Sequence, residues 1–537
     1  MPERGGLGSL HPFPGSEISS RGQLLIAAAS GAVLSLSFTG LYLSIFSWIC
    51  VAALIFAVIG GSARVAFACG YLHGVLFVFT SVPWIAKVLA VHGGLSTAGG
   101  WGILLLIASV WGGGNGGATW AMNRLSRTNV SLACVGAPFF WISLEMFRTK
   151  LPEISFPWNL LGYPAAGNLA LAQLATLTGI YGLSFAVAAF NALLVWVVAD
   201  GSRPLKRRIT TVLIVAAALL VVMLAGPRFV PVPIPAHTAR AVQLNFPEVE
   251  EFPNNWFALH KGDLEEIARL SLAPSARHPD LLVWPETPAP FSYQDIRFAR
   301  MATDLAEQFH GPFIMGVVEW KPETVTPGNA SHTVMEPYNS ALMIDAQGRR
   351  DFSYDKVHLV PFGEYEPFPL IHRVVSNVSS EVGGFRKGTS YSVGRFADGH
   401  TFGVFICYEA IYAGEVRRFA ANGAQVFVNI SNDGWFGHSA AAEQHLRMAR
   451  VRAVENRRWI VRTTNSGISA SIDPYGRILR ALPRDVRGEA DLPYDFRADE
   501  TIYTRFGDWF AWLCVLVSAI LLVLNWKSQA AKKTVAK

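Results

Sequence analysis

Charge is missing from most of this chain. Only 16% of its 537 residues are Asp, Glu, Lys or Arg and 51% are apolar, against roughly 25% charged in an average soluble domain. The deficit is uneven. From about Arg240 to Arg505 charged residues recur at an ordinary density, so the depletion belongs to the rest of the chain. A chain built this way divides into a part that sits in lipid and a part that sits in water.

A bilayer core of ~30 Å needs about 20 apolar residues per helix. Seven candidate runs precede the charged region: Leu24–Phe38, Tyr42–Gly60, Val65–Leu89, Trp101–Ala121, Ser131–Phe147, Leu169–Val198 and Ile209–Leu224. An eighth, Trp509–Trp526, follows it. Loop charges orient them. One side collects Arg4 and Arg21, Arg64, Arg124 and Arg127, Arg203, Lys206, Arg207 and Arg208, then Lys527, Lys532, Lys533 and Lys537. The short loops on the other side carry little beyond Arg148 and Lys150. Basic loops stay in the cytoplasm. The expected location is therefore a bacterial inner membrane, with both termini cytoplasmic and the charged region in the periplasm. The net charge of +6 is spread over these loops and calls for no nucleic-acid partner. The first run reads as an uncleaved span, because no convincing small-residue cleavage site precedes the next apolar run.

The charged region alternates β-rich and helical runs. Ala239–Leu244, Leu281–Trp284, Phe313–Val318, Ser340–Ile344, Gly403–Cys407, Val426–Ile430, Ile460–Thr464 and Ala470–Ile472 read as strands. Trp256–Leu270, Ala299–Gln308, Val416–Asn422 and Glu443–Glu455 read as helices. Such alternation argues an α/β domain with helices covering sheets. The expected organisation is a membrane domain of seven transmembrane helices over residues 1–226, an external domain over 227–505, and a last helix with a cytoplasmic basic tail over 506–537.

Five cysteines are present, and Cys50, Cys69, Cys134 and Cys514 fall in apolar runs. Cys407 has no partner in the charged region, so it is either a buried structural thiol or a reactive one. It ends an apolar strand in Phe402-Gly-Val-Phe-Ile-Cys407-Tyr-Glu409. The carboxyl end of a strand is open to a ligand in α/β proteins. Two other segments carry chemistry. Leu281-Leu-Val-Trp-Pro-Glu286 puts a glutamate after a strand, and Tyr354-Asp-Lys356-Val-His-Leu-Val-Pro-Phe-Gly-Glu364-Tyr365 sets a lysine and a glutamate among apolar residues. Read singly, Glu286 is an ordinary loop carboxylate and Lys356–Glu364 a surface ion pair. Together they suffice for acyl transfer. A thiol near pKa ~8.5 and a carboxylate near ~4.3 are mismatched by about four units, roughly 5–6 kcal/mol of proton transfer. Burial raises the glutamate, and a neighbouring ammonium lowers the thiol. The ammonium also stabilises oxyanion charge. His358, His438 and His445 show no metal-ligand spacing and read as structural or loop residues.

Trp-Pro-Glu286, Asp-Lys356 and Ile-Cys407-Tyr-Glu resemble the Glu-Lys-Cys triad of the nitrilase superfamily. With the membrane spans, almost the whole chain resembles the apolipoprotein N-acyltransferases. Phe156-Pro-Trp-Asn-Leu-Leu-Gly-Tyr163, Gly179-Ile-Tyr-Gly-Leu-Ser-Phe185, Asn429-Ile-Ser-Asn-Asp-Gly-Trp-Phe-Gly437, Arg452-Ala-Val-Glu-Asn456, Thr464-Asn-Ser-Gly467 and Tyr503-Thr-Arg-Phe-Gly-Asp508 carry that likeness. The resemblance implies an αββα nitrilase-like sandwich joined to about eight transmembrane helices. It implies Glu286 as general base, Lys356 as stabiliser of the intermediate and Cys407 as nucleophile. Glu364, Tyr408 and Glu409 fall at supporting positions, and Trp256 and Trp435 at loops facing substrate. No metal or other cofactor is implied. The implied partners are a phospholipid acyl donor, phosphatidylethanolamine, and a diacylated apolipoprotein acceptor within the membrane. The chain departs from the family at Gln243-Leu-Asn, where glycine is usual, at Asn255 and Val357, where basic residues are common, and at Gly434, where alanine is frequent. The alternatives are a membrane-tethered amidase or nitrilase acting on a small amide, and a non-catalytic scaffold. A scaffold would be expected to have lost a member of the triad.

Overall fold

The computed structural model describes residues 18–39, 42–151, 155–248, 252–287, 289–325, 332–361, 363–365 and 384–535. Among these, seven helices are long and apolar enough to cross a membrane, six before the charged region and one after it. The first part comprises α1 (Ser20–Ser35), α2 (Cys50–Val58), α3 (Ala63–Ser81), α4 (Trp84–Val91), α5 (Thr97–Ser126), α6 (Val130–Lys150), α7 (Ile180–Ala199) and α8 (Leu205–Ala225).

Three of the expected spans are interrupted, each for a local reason. Tyr42–Gly60 splits into a 3-10 stretch, Tyr42–Trp48, and the short α2. Asn191 of α7 satisfies the backbone groups freed there, accepting from Ala52 N at 2.8 Å and donating to Ser47 O at 2.9 Å. In lipid no water can do so. The Val65–Leu89 run breaks at Val82-Pro83, since a residue before proline avoids helical geometry, and α4 then packs on α5. Within Leu169–Val198 the chain turns at Gly179, whose φ of +64° ends one short helix before α7 starts.

Helix α8 stands apart. Of its residues only Arg208 is buried, while Leu213, Ile214, Leu220, Val221 and Leu224 are exposed. A continuous apolar surface of that length is stable only against lipid.

The charged region forms twelve strands: β1 (His237–Gln243), β2 (Leu281–Val283), β3 (Phe313–Val325), β4 (His332–Ile344), β5 (Arg350–Asp355), β6 (Val393–Arg395), β7 (Thr401–Ile406), β8 (Val426–Ser431), β9 (Trp459–Thr464), β10 (Ser469–Ile472), β11 (Ile478–Leu482) and β12 (Gly488–Tyr494). They make two six-stranded sheets, ordered β12-β1-β2-β3-β4-β5 and β11-β10-β9-β8-β7-β6. Strands β1, β2 and β3 run parallel, as do β7, β8 and β9. Strand alternation sorts the faces. Leu281, Val283 and Ile314 meet Phe402, Val404 and Ile406 between the sheets. Leu282, Phe313 and Met315 face outward onto α9 (Lys261–Ser271) and α10 (Ile296–Phe309). Helices α11 (Ala413–Ala421) and α12 (Ala441–Asn456) pack by the second sheet, and α13 (Trp509–Val535) returns to the membrane bundle beside α6. The result is the expected αββα sandwich on a helical membrane domain.

The two parts share a core. Tyr408, Ile411, Tyr412, Met448 and Val451 belong to the same apolar cluster as α1 to α7. Polar contacts fix the docking. Glu455 of α12 accepts the Ile180 N–H at 2.9 Å, an orphan donor at the start of α7. It also pairs with Arg452 at 2.9 Å, both side chains fully buried. Replacing one partner leaves the other charge stranded, at a cost of about 3–5 kcal/mol. Glu455→Ala is therefore expected to lower the thermal midpoint of the detergent-solubilised protein by many degrees. A midpoint within 1–2 degrees of the parent, roughly the scatter of such melts, would refute the docking role.

Candidate active site

Strand ends bring the predicted residues together. Glu286 lies just past β2, Lys356 just past β5 and Cys407 just past β7. The turn that carries Glu286 crosses β3 very closely. A Cβ at Gly316 would sit 2.6 Å from Pro285 O and 2.7 Å from the Glu286 Cα. Only glycine lets the turn rest on that strand.

Lys356 is the centre of the site. Its side chain is 1% exposed, and its Nζ reaches Glu286 Oε1 at 2.9 Å and Glu364 Oε1 at 2.8 Å. Asn339 bridges the same two oxygens from the other side, at 2.8 Å and 2.6 Å. Backbone donors take the outer oxygens: Asn432 N–H meets Glu286 Oε2 at 2.9 Å, and Val360 N–H meets Glu364 Oε2 at 2.7 Å. Burial pulls the ammonium pKa down, but Glu286 and Glu364 outweigh it and hold it well above its ordinary value. Lys356 is thus a fixed cation.

Cys407 sits at φ +45°, a left-handed backbone that a non-glycine residue adopts only under tertiary constraint. Two braces supply that constraint. The Glu409 carboxylate accepts Ile406 N–H at 2.7 Å on one oxygen, and Tyr354 OH at 2.6 Å and Val357 N–H at 2.8 Å on the other. It thereby staples the lysine loop to the cysteine turn. His445 meets the Cys407 carbonyl through Nε2 at 2.9 Å and Asp433 through Nδ1, also at 2.9 Å. Arg462 and His445 outweigh burial and hold the Asp433 carboxyl well below the usual carboxylate range. Burial raises the Glu409 carboxyl to about 7, with its backbone and tyrosine donors opposing.

The thiol is buried, and burial pushes it well up. Glu286 adds to that rise, while Lys356 opposes it. The resting cysteine is a neutral thiol. A base must accept its proton as it attacks, and Glu286 and Lys356 are the charges it senses most strongly.

The remaining expected residues divide. Tyr408 is buried in the cysteine turn, its ring 5.4 Å from Tyr412 and 6.5 Å from Phe156 of the membrane part. Trp435 is 37% exposed on the 3-10 turn Asp433–Phe436 and meets His92 edge-on at 4.7 Å. Trp256 is 4% exposed, stacked on His260 at 4.4 Å and packed against Phe246 and Phe291. Its ring is turned into the core of the domain. Sequence reasoning did not single out Asn339, Asn432 or the His445 brace, whose importance lies in partners distant along the chain. Among the described residues no His, Cys, Asp and Glu grouping could hold a metal ion.

Two family models match. Residues 238–492 match carbon-nitrogen hydrolase, and residues 30–193 match the apolipoprotein N-acyltransferase N-terminal domain. An apolipoprotein N-acyltransferase of Geobacter metallireducens is 31% identical, the alignment covering 96% of this chain and 98% of that one. One of Allorhizobium ampelinum is 30% identical, with 88% and 90% covered. An amidase of Nesterenkonia sp. superposes with a TM-score of 0.34 at 18% identity, over 49% of this chain and 93% of its own.

The ion cluster makes two predictions. Lys356→Met leaves two buried carboxylates facing each other and should destabilise the fold by about 3–5 kcal/mol. Adding Glu364→Gln should recover part of that loss in thermal unfolding, whereas strictly additive losses would show that the pair is not coupled. Gly316→Ala should fold yet slow acylation of Cys407 at least tenfold, roughly the effect of a 1.4 kcal/mol rise in barrier, because the new methyl displaces Glu286. Wild-type rates would count against that positioning.

Proposed function

The chain belongs to the apolipoprotein N-acyltransferase family, and on that premise we propose a residue-level course for its reaction. It is a membrane acyltransferase of lipoprotein maturation, with a phospholipid as donor and a lipoprotein as acceptor. Cys407 Sγ attacks the carbonyl of a phospholipid acyl ester. The S–C bond forms, Glu286 accepts the thiol proton, the ester C–O bond breaks, and the proton passes to the departing lysophospholipid alkoxide. Lys356 stabilises the oxyanion of the tetrahedral intermediate. The free α-amino group of the acceptor's N-terminal diacylglyceryl-cysteine then attacks the thioester. An amide N–C bond forms, the C–S bond breaks and the thiol regains its proton. Phosphatidylethanolamine is the donor. Glu364 and Glu409 hold the lysine and the cysteine turn, Tyr408 walls the site, and Trp435 lies on a loop beside α4 where a lipid would enter. Trp256 shapes the domain wall behind that entry.

One observation carries this reading. A buried cation lies between two carboxylates, and its charge reaches a buried thiol, in a domain whose cysteine turn packs into the same apolar cluster as the membrane helices. A small-amide hydrolase has no use for the membrane part. A lipid acyltransferase does, since moving an acyl chain into water costs ~0.8 kcal/mol per CH₂. The orientation proposed is periplasmic for residues 227–505, with residues 1–226 and 506–537 as membrane parts and both termini cytoplasmic, which requires the interrupted Tyr42–Gly60 run to cross as an eighth span beside the seven long helices. Arg21, Arg64, Arg124 and Arg203 then share the cytoplasmic side.

Phosphatidylethanolamine carrying a labelled acyl chain should leave that chain on Cys407 as a hydroxylamine-sensitive adduct, found by mass analysis. Cys407→Ala should carry none, and Glu286→Gln should acylate about 10²–10⁴-fold more slowly. Label appearing elsewhere, or release of ammonia from a soluble amide without lipid, would reverse the reading. In spheroplasts, external protease should cut the 227–505 domain and spare a tag on the C-terminal tail.

A further inference from the structure

A second carboxylate lies behind the first. Glu248 follows β1, and among the described residues none of its hydrogen bonds comes from a cation. Its Oε2 accepts from Asn432 Nδ2 at 2.9 Å and its Oε1 from Asn465 Nδ2 at 3.0 Å. Asn432 also gives its backbone N–H to Glu286 Oε2 at 2.9 Å. One residue thus links two carboxylates, by its main chain to one and by its side chain to the other.

The surroundings make room for this arrangement. Asn465 is locked to Phe246, accepting its N–H at 3.0 Å and donating to its carbonyl at 2.9 Å. A Cβ at Gly434 would fall 2.1 Å from Glu248 Oε1 and 2.7 Å from Ser466 Oγ. The carboxylate occupies the place that a side chain at 434 would fill. Both clashes are with the ends of side chains that can move, so a methyl there would shift Glu248 and leave the backbone in place.

We propose that Glu248 is a positioning residue for acylation, tuning the proton affinity of Glu286 across Asn432. The proposal rests on Glu286 being the base. An ionised Glu248 places negative charge behind Glu286, which makes Glu286 a stronger acceptor for the Cys407 proton. It also holds the Asn432 side chain by a charge-assisted bond, and so keeps the backbone N–H aimed at Glu286. Burial raises the Glu248 carboxyl to about 7, Asn432 and Asn465 pull it down, and Glu286 pushes it further up. Among the described residues the charge that faces it is Glu286. Asp433 is held by Arg462 and His445, and Arg487, above the Phe246 ring, is held by Asp263 and Glu266. Glu248 therefore gains its charge as pH rises through about 7, and the base strengthens in the same interval.

The test is the first-turnover rate of Cys407 acylation between roughly pH 5 and 9, measured on the full-length enzyme in mixed micelles with labelled phosphatidylethanolamine. The wild type should show a rise with an inflection near neutrality. Glu248→Gln cannot ionise. It should lose that inflection and run at alkaline pH roughly tenfold slower, the effect of a ~1.4 kcal/mol rise in barrier. Gly434→Ala should reproduce that profile, and the double variant should lose nothing more. An unchanged inflection in Glu248→Gln overturns the proposal. So does a uniform loss with the profile's shape preserved, which marks a merely structural role. Failure of the base assignment reads differently: Glu286→Gln would then acylate Cys407 at the wild-type rate, whatever the profile of Glu248→Gln.

Discussion

One buried ammonium holds this site together. Lys356 is sealed from water, and an uncompensated charge there would cost several kcal/mol. Its compensation comes from Glu286 past β2 and Glu364 in the loop after β5, with Asn339 of β4 joining the two acids. Three distant chain segments must converge for the charges to balance. The first sheet sets their distances, and Gly316 sets how near the Glu286 turn can lie to β3. The cluster is therefore both an electrostatic device and a registration mark for the fold.

The nucleophile is presented by a different principle. Cys407 occupies a left-handed turn held by hydrogen bonds at both ends, through Glu409 to the first sheet's lysine loop and through His445 to Asp433. Behind His445 the ring of Trp158 stacks at 5.7 Å, and Trp158 Nε1 donates to Gln444 at 2.7 Å. Trp158 belongs to the membrane part. The backing of the cysteine turn is thus supplied in part by the membrane domain, so the strained turn and the docking of the two domains support each other.

Much of this was legible in the sequence because each signal was local. An apolar strand ending in cysteine, a strand followed by Pro-Glu and a lysine in an apolar loop each depend on a few adjacent residues. The apolar runs and basic loops depend on composition. What stayed hidden depends on partners far along the chain. Tyr42–Trp48 reads as part of a span, and only the Asn191 side chain of α7 makes its non-helical backbone tolerable. Strand β12 closes the first sheet by pairing with β1, some 250 residues earlier, as the Arg240↔Asp491 register shows, and no turn signal announces a pairing that distant. Trp256 lies in an exposed-looking Asn-Asn-Trp stretch yet is buried, because Phe246 and Phe291 come to it from other elements. Asn339, Asn432 and Glu248 are ordinary polar residues in sequence and acquire meaning only through the carboxylates they face.

The protonation state of the thiol links these observations to the need for lipid. A thioester waiting for an amine must be shielded from water, and the same shielding raises the cysteine and makes its proton harder to remove. A low-pKa thiolate would ease attack, but it needs solvent or several cations nearby. Among the described residues this site sets one cation beside the thiol, already committed to two carboxylates, and burial raises the thiol. Proton removal is then coupled to attack, and it depends on how basic Glu286 is rather than on how acidic the cysteine is. That shifts the tuning of the reaction onto the groups around Glu286: among the described residues its N–H donors from Lys356, Asn339 and Asn432, and whatever charge lies behind them.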